Sequence, residues 1–163
     1  RTLTEGGCDL LTVHAEPQVM RGAVRGRDAA GSGTKLLAVT VMTSLSDADL
    51  TDIGYGFSAS DLVERRVRQA LDCGVDGVVS SPLEAARARA LARAAGRPDF
   101  LVVTPGVRPA GADRGDQQRV ATPAEALRAG ASHLVVARPV IAAPNPLMAA
   151  ARIAGEMDGV GAA

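Results

Sequence analysis

Five short, unbroken apolar runs separated by amphipathic stretches constrain this chain more than any other feature. They span Leu10–Ala15, Lys35–Met42, Gly77–Ser81, Phe100–Thr104 and His133–Ala137. They are rich in Val and Leu and show little alternation of apolar with polar residues, the pattern of parallel strands buried on both faces. Around them the sequence predicts helices at roughly Pro17–Asp28, Ser60–Asp72, Leu83–Ala95, Pro123–Ala129 and Pro146–Met157. In Leu62-Val63-Arg66-Val67-Ala70-Leu71 the positions recur at three and four, which puts them on one helix face. Ser60 or Asp61 is expected to cap that helix, with Gly74 following its end. Leu83-Glu84-Ala85 and Pro123-Ala124-Glu125 each bring a carboxylate to a first turn, where the helix dipole favours it.

The result is an α/β chain of five β-α units, expected to join by right-handed crossovers. Two closures are open: a doubly wound sheet, or part of a (β/α)8 TIM barrel. No GxGxxG loop is present, and Gly31-Ser32-Gly33 precedes a strand instead of following one. The 163 residues are read as a single domain, residues 1–163. A complete eight-stranded barrel takes about 250 residues, so the chain holds about five of its eight units. His14, Thr43, Ser81, Arg108 and Arg138 fall at C-terminal strand ends, where either closure puts a ligand.

Eighteen basic residues balance eighteen acidic ones with no block of like charge, which argues against a nucleic-acid surface. No apolar run reaches the length of a membrane span, and no signal-peptide pattern opens the chain. The expectation is a cytoplasmic protein in which Cys8 and Cys73 are two buried thiols. Aromatics are 2% of residues, so Ala, Val, Leu and Ile must build the core.

Two segments near the end carry the chemistry. Val103-Thr104-Pro105-Gly106-Val107-Arg108-Pro109 runs on to Asp116-Gln117-Gln118-Arg119-Val120, and Val135-Val136-Ala137-Arg138-Pro139 follows. Each begins where an apolar run stops and offers an arginine beside small residues or proline. Backbone N–H groups exposed at a strand end, joined by a guanidinium fork, make an anion site. The polar stretch Ala110–Arg119 could close over a ligand as a lid. Thr40-Val41-Met42-Thr43-Ser44 could read the edge of a planar heterocycle, although spacing alone favours a cap or turn, with Ser46-Asp47-Ala48-Asp49 close behind. His14 is read as a structural histidine satisfied by a neighbouring strand, and His133 as structural. Neither has partners at metal-ligand spacing, so no metal site is proposed. Ser81-Pro82 lacks a GxSxG context and is not read as a nucleophile.

The order TPGVRP…DQQRV…VVARP, with Val39-Thr40-Val41-Met42-Thr43-Ser44, Leu11-Thr12-Val13-His14 and Asp76-Gly77-Val78-Val79-Ser80-Ser81-Pro82, resembles the bacterial orotidine 5'-phosphate decarboxylases. The resemblance implies a (β/α)8 barrel, a homodimer and no cofactor, removing CO2 from orotidine 5'-phosphate to give UMP. It assigns the phosphate to Arg108, Gln117 and Arg138 with the Ala137 N–H, and the pyrimidine to Thr43. Ala137 stands where that family usually has glycine, and would fail only if the position needs positive φ, at roughly 1–2 kcal/mol. The family's catalytic Asp-x-Lys-x-x-Asp run does not occur, and Lys35, the only lysine, opens a strand. The expectation is therefore a chain with no catalytic residues of its own, a piece lacking three upstream β-α units and inactive alone. It should leave open strand edges near Leu10–Ala15 and His133–Ala137. Two other readings stay open. One is a related sugar-phosphate decarboxylase or synthase, distinguished by Mg2+ dependence; the other is a noncatalytic phosphate-binding scaffold.

Overall fold

A computed structural model describes residues 2–109 and 120–158. The five runs form one parallel sheet of β1 (Leu10–His14), β2 (Lys35–Val39), β3 (Gly77–Val79), β4 (Leu101–Thr104) and β5 (His133–Leu134), in the spatial order β1-β2-β3-β4-β5. That order resolves the choice of closure. A doubly wound sheet reverses its strand order at a switch point; here each strand lies beside its sequence neighbour, as in a barrel wall. Every strand starts within a residue of where the apolar pattern predicts. β2, β3 and β5 stop two or three residues early, because the apolar run continues into the loop beyond the ladder. Val41 illustrates this, being buried although it lies outside β2.

The helices are α1 (Thr2–Glu5), α2 (Pro17–Ala29), α3 (Asp47–Asp52), α4 (Ala59–Cys73), α5 (Ala85–Ala94), α6 (Pro123–Arg128), α7 (Arg138–Ile141) and α8 (Pro146–Met157). Helix α2 packs on β1 and β2, α4 on β3 and α5 on β4, and α2, α4 and α5 touch in succession, so these helices cover one face of the sheet. Strand register fixes which side chains meet them. Leu11, Val13, Leu36, Ala38, Val78 and Val102 join the core with Met20, Leu62, Val63, Val67, Ala88 and Phe100. The alternate positions, Thr12, Leu37, Gly77 and Leu101, share the opposite face. Gly77 is required there: a Cβ would come within 2.5 Å of the Leu101 carbonyl oxygen and 2.9 Å of Leu37 Cδ2.

Several local expectations need correction. The cap of α4 is Ser58, not Ser60 or Asp61: its hydroxyl accepts the Asp61 N–H and donates to the Asp61 carboxylate. Gly74 does end the helix. Glu84 is the residue before α5 and takes the Ser81 hydroxyl, instead of serving in a first turn. Glu125 does sit in a first turn, closing a capping box with Thr122. Cys73 is buried, but Cys8 is only partly so. The short α1, α3 and α7 carry too few residues to show a period in sequence. β1 and β5 are the sheet edges among the described strands, with Leu10 and Val135 exposed. No helix among the described residues is long and apolar enough to cross a membrane.

Candidate functional site

All the chemistry-bearing loops leave the sheet at one end, where the strands finish. Register sets their neighbours: β2, β3, β4 and β5 are aligned so that Val39, Val79, Val103 and His133 lie in one row. The loops after β4 and β5, carrying Arg108 and Arg138, are therefore adjacent, and the Thr40–Thr43 loop lies across β3 from them. In barrels this end of the sheet holds the active site, and phosphate commonly sits between the last two loops and a short extra helix. Here the short α7 falls between β5 and α8 in chain order.

The β4 loop is shaped by its own sequence. Pro105 and Pro109 frame it, and Gly106 turns the chain at φ 79, in the left-handed region that favours glycine. Val107 then bridges Ala121, and Arg108 N donates to Ala121 O at 3.0 Å, which joins the end of this loop to the residues just before α6. Arg108 is half-buried, and its Nη1 donates to the Val107 carbonyl at 2.8 Å. Arg138 is the first residue of α7 and is exposed. Ala137 precedes it at φ −114, so the position does not need positive φ and alanine fits where glycine is usual. Gln117 and the lid segment Ala110–Arg119 lie outside the described residues.

Thr43 is 7% exposed, in the loop after β2. That loop starts from a fixed residue: the Thr40 N–H and hydroxyl both donate to the Val79 carbonyl, at 3.1 and 2.7 Å. The Ser46–Asp49 pair, read as a cap, is a full capping box opening α3, and hydrogen bonds from the Ser46 hydroxyl and N–H hold the Asp49 carboxyl below its usual range.

His14 is not satisfied by a neighbouring strand. Its side chain is 88% exposed at the edge of the sheet, 4.0 Å from the Glu16 carboxylate. His133 is also exposed, with Nδ1 3.1 Å from the Ser132 hydroxyl. Ser81 is fully buried in its bond to Glu84. Lys35 opens β2 at the other end of the sheet, 3.8 Å from Asp76. Sequence reasoning missed Arg66, which reaches the Thr40 carbonyl from α4. Its place inside an otherwise apolar stripe was the available sign. It also missed two hydroxyls at this end, Ser80 Oγ and Thr104 Oγ1, which are buried without a hydrogen-bond partner.

Known proteins match this arrangement along almost its whole length. The chain is 63% identical over 160 residues to orotidine 5'-phosphate decarboxylase of Caulobacter vibrioides, covering 98% of this chain and 68% of that protein. It is 56% identical to the enzyme of the same name from Rhodopseudomonas palustris, covering 96% of this chain and 64% of the relative. The crystal structure of orotidine 5'-phosphate decarboxylase from Lactobacillus acidophilus superposes with a TM-score of 0.76 at 34% identity, over 96% of this chain and 66% of that one. The chain thus spans about two thirds of the length of these relatives. The sequence model of one family runs through all five β-α units, from residue 2 to residue 153, and by it the chain belongs to the orotidine 5'-phosphate decarboxylase / HUMPS family.

Proposed function

We propose that this chain is the substrate-gripping part of an orotidine 5'-phosphate decarboxylase, the carboxy-lyase that forms UMP in pyrimidine biosynthesis. Arg108 and Arg138, with Gln117 and the Ala137 N–H, hold the phosphate; Thr43 reads the pyrimidine edge with its hydroxyl and backbone. The observation that carries the reading is the register of β4 beside β5, which sets the two arginine loops side by side next to α7. Two guanidinium groups and backbone N–H donors suit a dianion. Binding energy collected at the phosphate can be used to lower the barrier at the ring.

The same geometry separates gripping from chemistry. Decarboxylation leaves a carbanion that needs a positioned proton, and the only lysine lies at the opposite end of the sheet, beside Asp76. The chain by itself therefore binds without turnover, and needs no cofactor to bind. A homodimeric assembly and a cytoplasmic setting go with the complete enzyme.

Titration calorimetry with UMP, alongside an absorbance assay with orotidine 5'-phosphate, tests this. The wild-type chain should bind UMP, Arg138→Ala should weaken binding about 10–100-fold through loss of charge-assisted hydrogen bonds, and His14→Ala should leave it unchanged. The absorbance trace should stay flat. Equal affinity in Arg138→Ala, or measurable turnover by the chain alone, overturns the reading.

A further inference from the structure

Arg66 connects three separate pieces of the site-bearing end. Its Nη1 donates to the Thr40 carbonyl. Its Nη2 donates to the Tyr55 hydroxyl at 2.9 Å and reaches the Glu16 carboxylate at 3.4 Å. The guanidinium carbon lies 5.3 Å from the Tyr55 ring centroid, and the side chain is 15% exposed. Glu16 closes the loop after β1, Thr40 opens the loop after β2, and Tyr55 lies between α3 and α4. The Thr40 peptide is thus held from both sides: β3 takes its N–H and hydroxyl through Val79 O, and α4 takes its carbonyl through Arg66. Three residues later comes Thr43.

We propose that Arg66 is a positioning residue for the pyrimidine-reading segment Thr40–Thr43, and the proposal rests on the role given to Thr43 above. By anchoring the Thr40 carbonyl to Tyr55 and Glu16, the guanidinium sets where Thr43 presents its hydroxyl and backbone. The work requires a fork. A planar guanidinium has several donors in fixed directions, whereas an ammonium is a single point charge on a flexible stem. This also explains why a cation occupies the apolar stripe of α4: its charge is taken up by an oxygen acceptor at each contact, and burial without such partners would be costly. An arginine that merely filled space between α4 and the sheet would stabilise the whole molecule evenly, without singling out one loop or one end of the ligand.

Two variants and two ligands separate these roles. Arg66→Met keeps the apolar stem and loses the fork; Arg66→Lys keeps the charge. Amide hydrogen exchange is followed at residues 41–45, with Leu101–Thr104 of β4 as the internal control, and affinity is measured for UMP and for ribose 5-phosphate. In Arg66→Met, exchange at 41–45 should quicken about tenfold, the effect of losing one hydrogen bond to a charged group. The β4 control should not move. UMP affinity should fall by a similar factor while ribose 5-phosphate affinity holds, and Arg66→Lys should behave like Arg66→Met. Unchanged exchange at 41–45, equal acceleration in β4, or parallel loss of both ligands overturns the proposal. A wild-type chain that binds neither ligand would sink the substrate reading instead, and the exchange data would still decide whether Arg66 holds the loop.

Discussion

Where the strands begin, Asp76 accepts the Leu36 N–H at 2.9 Å and the Arg27 guanidinium at 2.6 Å, with Lys35 at 3.8 Å; where they stop, the hydroxyls of Ser80 and Thr104 are buried with no partner. Arg89 repeats the contrast at the first end, donating to the carbonyls of Pro98, Phe100 and Gly130 and so tying the start of β4 to the end of α6. Burial in that position lowers its pKa, helped by the nearby charge of Arg93. At the other end Arg138 and Val135 are exposed and Arg108 turns back on its own loop. The strand-start end ties its charges to its own backbone throughout; the other end does so through Arg66 and Arg108 but also leaves Arg138 exposed. The comparison teaches how the labour is divided in a barrel wall: the N-terminal ends of the strands secure the fold, and the C-terminal ends are left for chemistry.

The largest test of that division is Asp76→Ala. Removing this carboxylate leaves the Leu36 N–H without its acceptor and a mostly buried Arg27 with Asp28 alone, which should cost about 2 kcal/mol in urea unfolding. UMP affinity should not change, because Asp76 is at the far end. A loss below about 1 kcal/mol, the value of an exposed pair, would mean that the first end is not held as described. A smaller effect, opposite in sign, is expected at the other end. Thr104 is fully buried and lies on the helix-covered face beside Ser80, so its unpartnered hydroxyl carries a desolvation cost with no return. Thr104→Val should therefore raise stability by about 1 kcal/mol. Destabilisation would show that the hydroxyl is satisfied in solution and that the two ends differ less than the contacts imply.

The division was only half legible in the sequence. All five strands show through, because burial on both faces leaves continuous Val- and Leu-rich runs, and the closure followed once neighbouring strands proved to pair in order. Arg108 and Arg138 stood out because a guanidinium beside proline or small residues at a strand end has few structural uses. Asp76 did not stand out, because its partners Arg27 and Leu36 lie 49 and 40 residues away and no local spacing links them. His14 misled for the converse reason. It occupies a strand position, but the strand is an edge among the described strands and the residue alternates to the face opposite α2, α4 and α5, so it meets solvent. Ser58 was readable after all, since Ser58 and Asp61 stand three apart before an apolar run, as a capping pair does. Arg66 falls between these cases: its helix was predicted from periodicity, but the three acceptors that make its placement tolerable come from loops far apart in the chain.

Between the two ends, the helix layer has its own electrostatic tie, and its pH dependence gives the finest test. Glu64 of α4 receives a fork from Arg87 of α5, at 2.7 and 2.8 Å, and a further bond from Arg68. These bonds, Arg87 foremost, pull the Glu64 carboxyl from 4.5 down to about 2. A carboxyl whose pKa is lower in the folded state adds stability that is fully present above about 4.5 and fades as pH falls toward about 2. Glu64→Gln should therefore shift the urea midpoint downward near neutral pH, by less than Asp76→Ala because the pair is solvated. The gap should narrow below about 4.5 and close near 2. A gap that stays constant with pH would mean that Glu64 joins α4 to α5 by shape and not by charge. The firm electrostatic ties of this fold would then be those at the strand ends, Asp76 where the strands begin and Arg66 where they stop.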